Sequence, residues 1–314
     1  VFPEIAPPMS STEPTPEERL DALRRQIDTI DDDLHDLIVR RTELVERVGE
    51  IKREAWGQVS FIRPGREARM LRRLNAQHRG RFPRPVLLRL WREMIIGSLC
   101  LEGPFSVAVL DTRGDGEYWD LSRDHFGSFA PMHAWRSASD VLAEVSSGNA
   151  TVGVLPIPGT GGADGDAHWW RGLFSERPGT PKVIARLPFV RMPNSRAQDL
   201  DGLVIATLEP EATGDDRTLI AVELEGSEIS RDRLFEGFDR AGLKARWVDS
   251  HVTGGPANLR THLLEVAEFV GAGDERLGRL AGCFNDVAVR VIPIGGYATP
   301  LSAEELRYPA PPAE

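Results

Sequence analysis

The sequence predicts a multidomain protein of mixed α and α+β class: a helical N-terminal region, a short α/β layer behind it, and a C-terminal βαββαβ unit. Three observations predict it. An apolar seam with alternating three- and four-residue steps runs from Leu20 to Ile51, the composition changes abruptly at Gly103-Pro104, and six elements follow in the order βαββαβ between Leu219 and Pro293. A chain of 314 residues suits two or three domains, and 41% hydrophobic with 27% charged residues exclude wholesale disorder.

Val1–Pro16, rich in Pro, Ser and Thr, reads as a mobile tail. Thr15-Pro16-Glu17-Glu18 then supplies a helix start: a capping hydroxyl, Pro at the first helical position, and acids over the positive helix end. The seam Leu20, Leu23, Ile27, Ile30, Leu34, Leu37, Arg41, Leu44, Val48, Ile51 makes one long helix ending near Trp56-Gly57. A second helix is expected over Gly65–Asn75, and a third over Pro85–Leu101 with Leu88, Trp91, Ile95, Ser98 and Glu102 near one stripe. One long helix with two shorter ones leaves more apolar seam than its internal partners cover, which predicts association with a second copy.

Beyond Gly103-Pro104, strands are expected at Phe105–Leu110, Thr151–Ile157 and Lys182–Val190, and helices at Ala138–Val145 and Trp169–Phe174. Gly159–Gly165 reads as a turn and Pro193–Gly202 as a crossover. In the last region strand Leu219–Leu224, helix Arg231–Ala241, strands Ala245–Asp249 and His262–Phe269, helix Glu275–Cys283 and strand Val287–Pro293 specify a ferredoxin-like sandwich. Ala298–Glu314 is expected to be a loose end.

Several classes are excluded or disfavoured. Cys100 and Cys283, the only cysteines, rule out a disulfide scaffold and a four-cysteine metal site. No apolar stretch approaches the roughly 20 residues that cross a bilayer, and Val1–Thr15 lacks signal-peptide character, so a cytoplasmic protein without a membrane partner is expected. A formal charge of −10 argues against a nucleic-acid partner, although Arg66–Arg92 is arginine-rich; its interleaved Met70, Leu71, Leu88 and Trp91 suit a helix core.

The chemistry-bearing residues lie in the helical region. Arg41 occupies the heptad series of Leu20, Ile27, Leu34 and Val48, where an uncompensated guanidinium is costly. It is either an interhelical ion pair or a carboxylate-binding arginine. Lys52 lies eleven residues on, at nearly the same azimuth and about 16 Å along the axis, so the two can flank one elongated ligand. Arg24 lies about 25 Å from Arg41 on the other side and turned by roughly a quarter turn, so an antiparallel partner helix could deliver it to that ligand. Arg66 and Glu67 open the second helix, as a ligand-binding pair or an ordinary helix-start ion pair. Ser98 and Glu102 share a face of the third.

Leu23-Arg24-Arg25-Gln26-Ile27-Asp28, Arg41-Thr42-Glu43-Leu44-Val45, Val48-Gly49-Glu50-Ile51-Lys52, Arg63-Pro64-Gly65-Arg66-Glu67 and Ser98-Leu99-Cys100-Leu101-Glu102 together resemble the all-helical chorismate mutase domain of bacterial bifunctional enzymes of phenylalanine synthesis. The resemblance covers residues 19–103. It implies an intertwined homodimer that converts chorismate to prephenate by a pericyclic shift, with no nucleophile, metal or cofactor. Arg24 from the partner and Arg41 would hold substrate carboxylates, with Arg66 supporting the pocket. Lys52 would meet a carboxylate and the ether oxygen, Glu67 the ring hydroxyl, and protonated Glu102 the ether oxygen. Ser98 would line the substrate. Arg63, where some relatives carry an aspartate, would contact a carboxylate or face solvent.

Residues 105–157 resemble the first lobe of prephenate dehydratase through Asp124-His125-Phe126-Gly127, Ala138-Ser139-Asp140-Val141 and Gly153-Val154-Leu155-Pro156-Ile157. Its glycine-rich opening is replaced by Asp111-Thr112-Arg113-Gly114-Asp115-Gly116, its polar turn by Pro158-Gly159-Thr160-Gly161, and its Thr-Arg-Phe-type motif by Asp201-Gly202-Leu203-Val204. The second lobe is missing, so a degenerate, truncated dehydratase-like region without dehydratase activity is expected. His125, His168 and His251 are expected at surface or structural positions. Residues 217–297 resemble the amino-acid-binding regulatory domain of the same enzymes. Ser230-Arg231-Asp232-Arg233-Leu234 and Asp249-Ser250-His251-Val252 replace its effector motifs, so little response to phenylalanine is expected. A bifunctional mutase and dehydratase, and an inactive amino-acid-binding regulator, are the alternatives.

Overall fold

The computed structural model describes residues 14–57, 61–112, 114, 116–160, 167–195, 199–225, 229–253, 259–284 and 289–307. The chain divides into two compact units, residues 1–59 and 60–314.

Among its described residues the first unit carries one helix, α1 (Pro16–Trp56), 41 residues and about 60 Å long. Its start is the expected one. The Thr15 hydroxyl accepts from the Glu18 backbone N–H while the Glu18 carboxylate accepts from the Thr15 N–H, and Pro16 occupies a position that needs no donor. Gly57, at φ +70°, stops it in a conformation that a side chain disfavours. The seam is exposed along its length, from Leu20 at 49% to Ile51 at 60%.

The second unit carries α2 (Pro64–Gln77), α3 (Arg84–Glu102) and a nine-stranded sheet with four more α-helices. The strands are β1 (Val107–Leu110), β2 (Met132–Trp135), β3 (Val152–Pro156), β4 (Lys182–Leu187), β5 (Gly202–Ala206), β6 (Asp216–Leu224), β7 (Ala245–Thr253), β8 (Leu259–Val266) and β9 (Val289–Ala298), in the order β2-β1-β3-β5-β4-β9-β6-β8-β7. β1 runs parallel to β2 and β3, β5 antiparallel to β3 and β4, and β6–β9 form an antiparallel set joined through β9 to a parallel β4.

Each face of the sheet is covered. Ile95, Ile96 and Leu99 of α3 and Leu121 and Phe126 of α4 (Glu117–Phe126) pack on Val107, Val109, Val152, Val154 and Val204. Burial of such side chains contributes about 1.5–3 kcal/mol each. On the opposite face α5 (Ala138–Ser146) and a 3-10 turn (Trp169–Leu173) cover Ala108, Leu110, Leu155, Leu203 and Ile205. Along β6 the faces alternate with period two. Leu219 and Ala221 join that second layer, while Ile220, Val222 and Leu224 meet α6 (Arg231–Ala241) and α7 (Glu275–Gly282).

The β4–β9 junction depends on Gly295, at φ +134°, because a Cβ there would overlap the Val183 backbone. A polar chain braces the same seam: Arg186 Nη2 reaches Asp201 at 2.5 Å and Arg186 Nη1 donates to Tyr297 Oη at 3.3 Å, while the Tyr297 hydroxyl donates to Glu265. Burial and the adjacent Glu265 carboxylate push the Tyr297 hydroxyl well above its ordinary value.

Differences from the sequence reading have physical causes. α4, β2 and β5 were not foreseen. β5 is buried at every position and so lacks alternation, and it sits centrally between β3 and β4. β7 runs on to Thr253 because its pairing with β8 continues through His251↔Thr261, and β9 runs to Ala298 alongside β6. β8 stops at Val266, short of Phe269. The chain after β9 is not loose up to Arg307: Leu301 is buried, and the Glu305 carbonyl accepts from Asn75. The expected tail residues 1–13 and 308–314, most of the 159–165 turn, and the start of the Val287–Pro293 strand lie outside the described residues.

Candidate active site

Three of the proposed residues are on α1. Arg24 is exposed and its guanidinium pairs with Asp21 at 3.1 Å, one turn back on its own helix. Arg41 and Lys52 are both half-buried, each engaged in an interaction, and share a helix face at the eleven-residue spacing.

The rest are on α2 and α3. Gly65 lets the first turn of α2 close on Glu211 and Thr213, where a Cβ would be 3.1 Å from the Glu211 side chain. Arg63, the N-cap residue, is exposed, as one of its two expected fates had it, and its guanidinium meets Glu211 at 2.5 Å. Arg66 is exposed. Glu67, one residue on, turns toward α3 and forms a 2.6 Å ion pair with Arg92 Nη1, the two side chains 14% and 8% exposed. Ser98 is buried and donates to the Met94 carbonyl at 2.7 Å. Glu102, the last residue of α3, is half-buried and engaged. The second unit thus brings Arg66 and Glu67 onto one helix turn and sets Ser98 and Glu102 on consecutive turns of the neighbouring helix.

Arg92 was missed. Its signal was present: it lies in the stripe Leu88, Arg92, Ile95, Leu99, all buried, and a guanidinium in an apolar stripe is the feature that singled out Arg41. Three other arginines of this run are committed to the fold. Arg69 donates to the Ala212 carbonyl, Arg72 to the Asp215 and Thr299 carbonyls and the Thr213 hydroxyl, and Arg84 to the Asn75 carbonyl. They stitch α2 to the loop before β6 and to the chain after β9.

The Asp124-His125-Phe126-Gly127 stretch closes α4 and anchors α3. Arg92 Nε donates to the His125 carbonyl at 3.0 Å, and Arg89 pairs with Asp124 at 3.3 Å. Burial first, then the Arg92 charge, holds the His125 imidazole well below its ordinary value. Its native state is therefore neutral while the unfolded chain takes up a proton near pH 6.5. The contribution is complete above that pH and is lost as pH falls, by at most about 1.4 kcal/mol per pH unit from this one group. Thermal melts between pH 5 and 8 should show this acid-side loss, and His125→Gln should reduce it. An unchanged slope in that variant would remove His125 as its source.

His168 and His251, expected at surface or structural positions, are brought together. The His168 Nδ1 and the indole N–H of buried Trp170 both meet Asp249 Oδ2 at 2.8 Å, and the His251 ring lies 4.7 Å from that of His168. Burial, Arg171 and His168 hold His251 below its ordinary value. Gly159 lies against Asp249, so the replaced polar turn and a replaced effector motif meet in space. The link from β4 to β5 is residues 188–201, and its described residues contain no helix or strand. Among the described residues there is no group of three or more His, Cys, Asp or Glu placed to hold a metal ion, and no helix is long and apolar enough to cross a membrane.

Residues 23–103 match the family described as chorismate mutase type II. Similar curated proteins are the bifunctional chorismate mutase/prephenate dehydratases of Stutzerimonas stutzeri, 31% identical over 143 residues, and of Aquifex aeolicus, 33% identical over 163 residues. These alignments cover 45% and 51% of this chain and 39% and 44% of those proteins, so the chain spans about two-fifths of the length of the relatives it matches. Both are longer than the family match, so similarity continues past the helices. A prephenate dehydratase structure from Arthrobacter aurescens, in complex with L-Phe, aligns with a TM-score of 0.46 at 13% identity, covering 66% of this chain and 93% of that one. Residues 23–103, the segment that matches a type II chorismate mutase domain, carry Arg24, Arg41, Lys52, Arg66, Glu67, Ser98 and Glu102 on three helices.

Proposed function

We propose that the chain is a homodimeric chorismate mutase in which Arg24 of each copy completes the site of the other. The observation that carries this reading is the set of cationic and carboxylic residues that α1–α3 hold within the matched domain. A pericyclic rearrangement needs its substrate held in the folded, diaxial form and the charge developing on the ether oxygen stabilised. Arg41 and Arg24 from the partner bind the two carboxylates, Arg66 supports the pocket, Glu67 accepts from the ring hydroxyl, Ser98 lines the substrate, and Lys52 and Glu102 address the ether oxygen. Arg63 acts on Glu211 rather than on substrate. The exposed α1 seam supports association, since Leu and Ile at heptad spacing gain most by packing on a second helix.

In this reading residues 17–103 are the mutase domain, 104–216 a truncated dehydratase-like region and 217–297 a ferredoxin-like regulatory domain. The order β9-β6-β8-β7 with both α6 and α7 on one face supports the last. The short β4–β5 link supports the loss of dehydratase activity, because dehydration requires a cleft closed by a second lobe. A cytoplasmic location fits the two unpaired thiols.

Incubation of the purified protein with chorismate tests the assignment. Prephenate alone supports it, phenylpyruvate as well restores a bifunctional enzyme, and neither product favours an inactive regulator. Subunit mixing tests the shared site. Arg24→Ala and Arg41→Ala proteins are each expected to be nearly inactive, while their verified heterodimers regain activity because one site is then wild type throughout. Heterodimers as inactive as their parents would refute the sharing.

A further inference from the structure

We propose that Arg92 is a positioning residue for the mutase reaction, holding Glu67 toward the substrate's ring hydroxyl, and that the sheet layer braces it through the His125 carbonyl. This rests on the mutase reading above and extends it to residues outside the substrate's reach.

The geometry is a relay of two bonds. Arg92 Nη1 holds Glu67 Oε2 at 2.6 Å, and Arg92 Nε is itself fixed on the His125 carbonyl at 3.0 Å. Both side chains of the ion pair are largely withdrawn from water, so the bond is not an exchangeable surface contact. A planar guanidinium offers donors in two fixed directions, one satisfied by α2 and the other by α4, and an ammonium cannot span both. With Oε2 held by Arg92, Oε1 is left as the acceptor for the ring hydroxyl. The carbonyl that orients Arg92 belongs to the Asp124-His125-Phe126-Gly127 stretch, the clearest part of the dehydratase resemblance. That stretch therefore has a use in a chain that does not dehydrate: it completes the mutase domain from outside residues 23–103.

A double-mutant cycle separates positioning from general stability. Arg92→Lys and Glu67→Gln are each expected to lower kcat/KM for chorismate by roughly tenfold to a hundredfold, mostly through KM, since the ring hydroxyl is held alike in ground and transition states. The pair together should be no worse than Glu67→Gln alone. Arg89→Gln, which loosens the same α3–α4 contact without touching Glu67, should keep wild-type kinetics. If Arg92→Lys does not fold, Arg92→Gln with Glu67→Gln, which removes both charges together, is compared with Glu67→Gln. Equal activity supports the proposal, and a further tenfold loss overturns it. Multiplying losses in the cycle, or an Arg92→Lys enzyme with wild-type kcat/KM, also overturn it. Wild-type protein without mutase activity would defeat the functional reading itself.

Discussion

Lys52→Ala is expected to lower kcat/KM for chorismate by at least about 10²–10³-fold, with both kcat and KM affected. The ether bond breaks with negative charge accumulating on its oxygen, and an ammonium aimed at that atom gains interaction energy as the charge grows. That is the differential binding that lowers a barrier. In the proposed site Lys52 also reaches a substrate carboxylate, so its loss weakens ground-state binding as well. Because Lys52 lies near the C-terminal end of a capped 41-residue helix, its truncation costs little helix stability, and circular dichroism should be unchanged. Lys52→Ala within threefold of wild type would remove the lysine from the mechanism.

In the proposed site Glu102 faces the ether oxygen, where a carboxyl O–H can donate to the charge that develops as the bond breaks. Glu102→Gln keeps an N–H donor at the same position and should retain activity. Glu102→Ala should be about 10²–10³-fold slower. Initial rates for the three proteins decide the matter. A folded Glu102→Ala enzyme matching wild type in rate would end the assignment, because removal of a transition-state donor leaves an energetic gap.

The helical region was legible for local reasons. The Thr15 capping box, Pro16, the heptad seam and Gly57 act within a turn or two of themselves, and α1 begins and ends where they place it. α6 matches its expected span, Arg231–Ala241, because Ser230 caps it and Gly242 adopts the left-handed conformation that closes it. β5 and α4 escaped because nothing local marks them. β5 is an apolar run buried on both faces, and α4 commits only Leu121, Ser122 and Phe126 to full burial.

The site divides the same way. Arg24, Arg41 and Lys52 could be placed relative to one another from the helix repeat alone, since azimuth and rise follow from residue number. The sequence by itself therefore determined the three helices, the family that residues 23–103 resemble and the candidate residues of the proposed site. Tertiary structure decided the partners of the remaining charges: Glu211 for Arg63, Arg92 for Glu67, the His125 carbonyl for Arg92, and Asp249 for His168. It also decided that β9 joins β4, making one sheet of two expected layers. These contacts link residues 25 to 148 positions apart in the chain. Charge pairing is set by where the packed sheet brings side chains, and no periodicity within a single element encodes that distance.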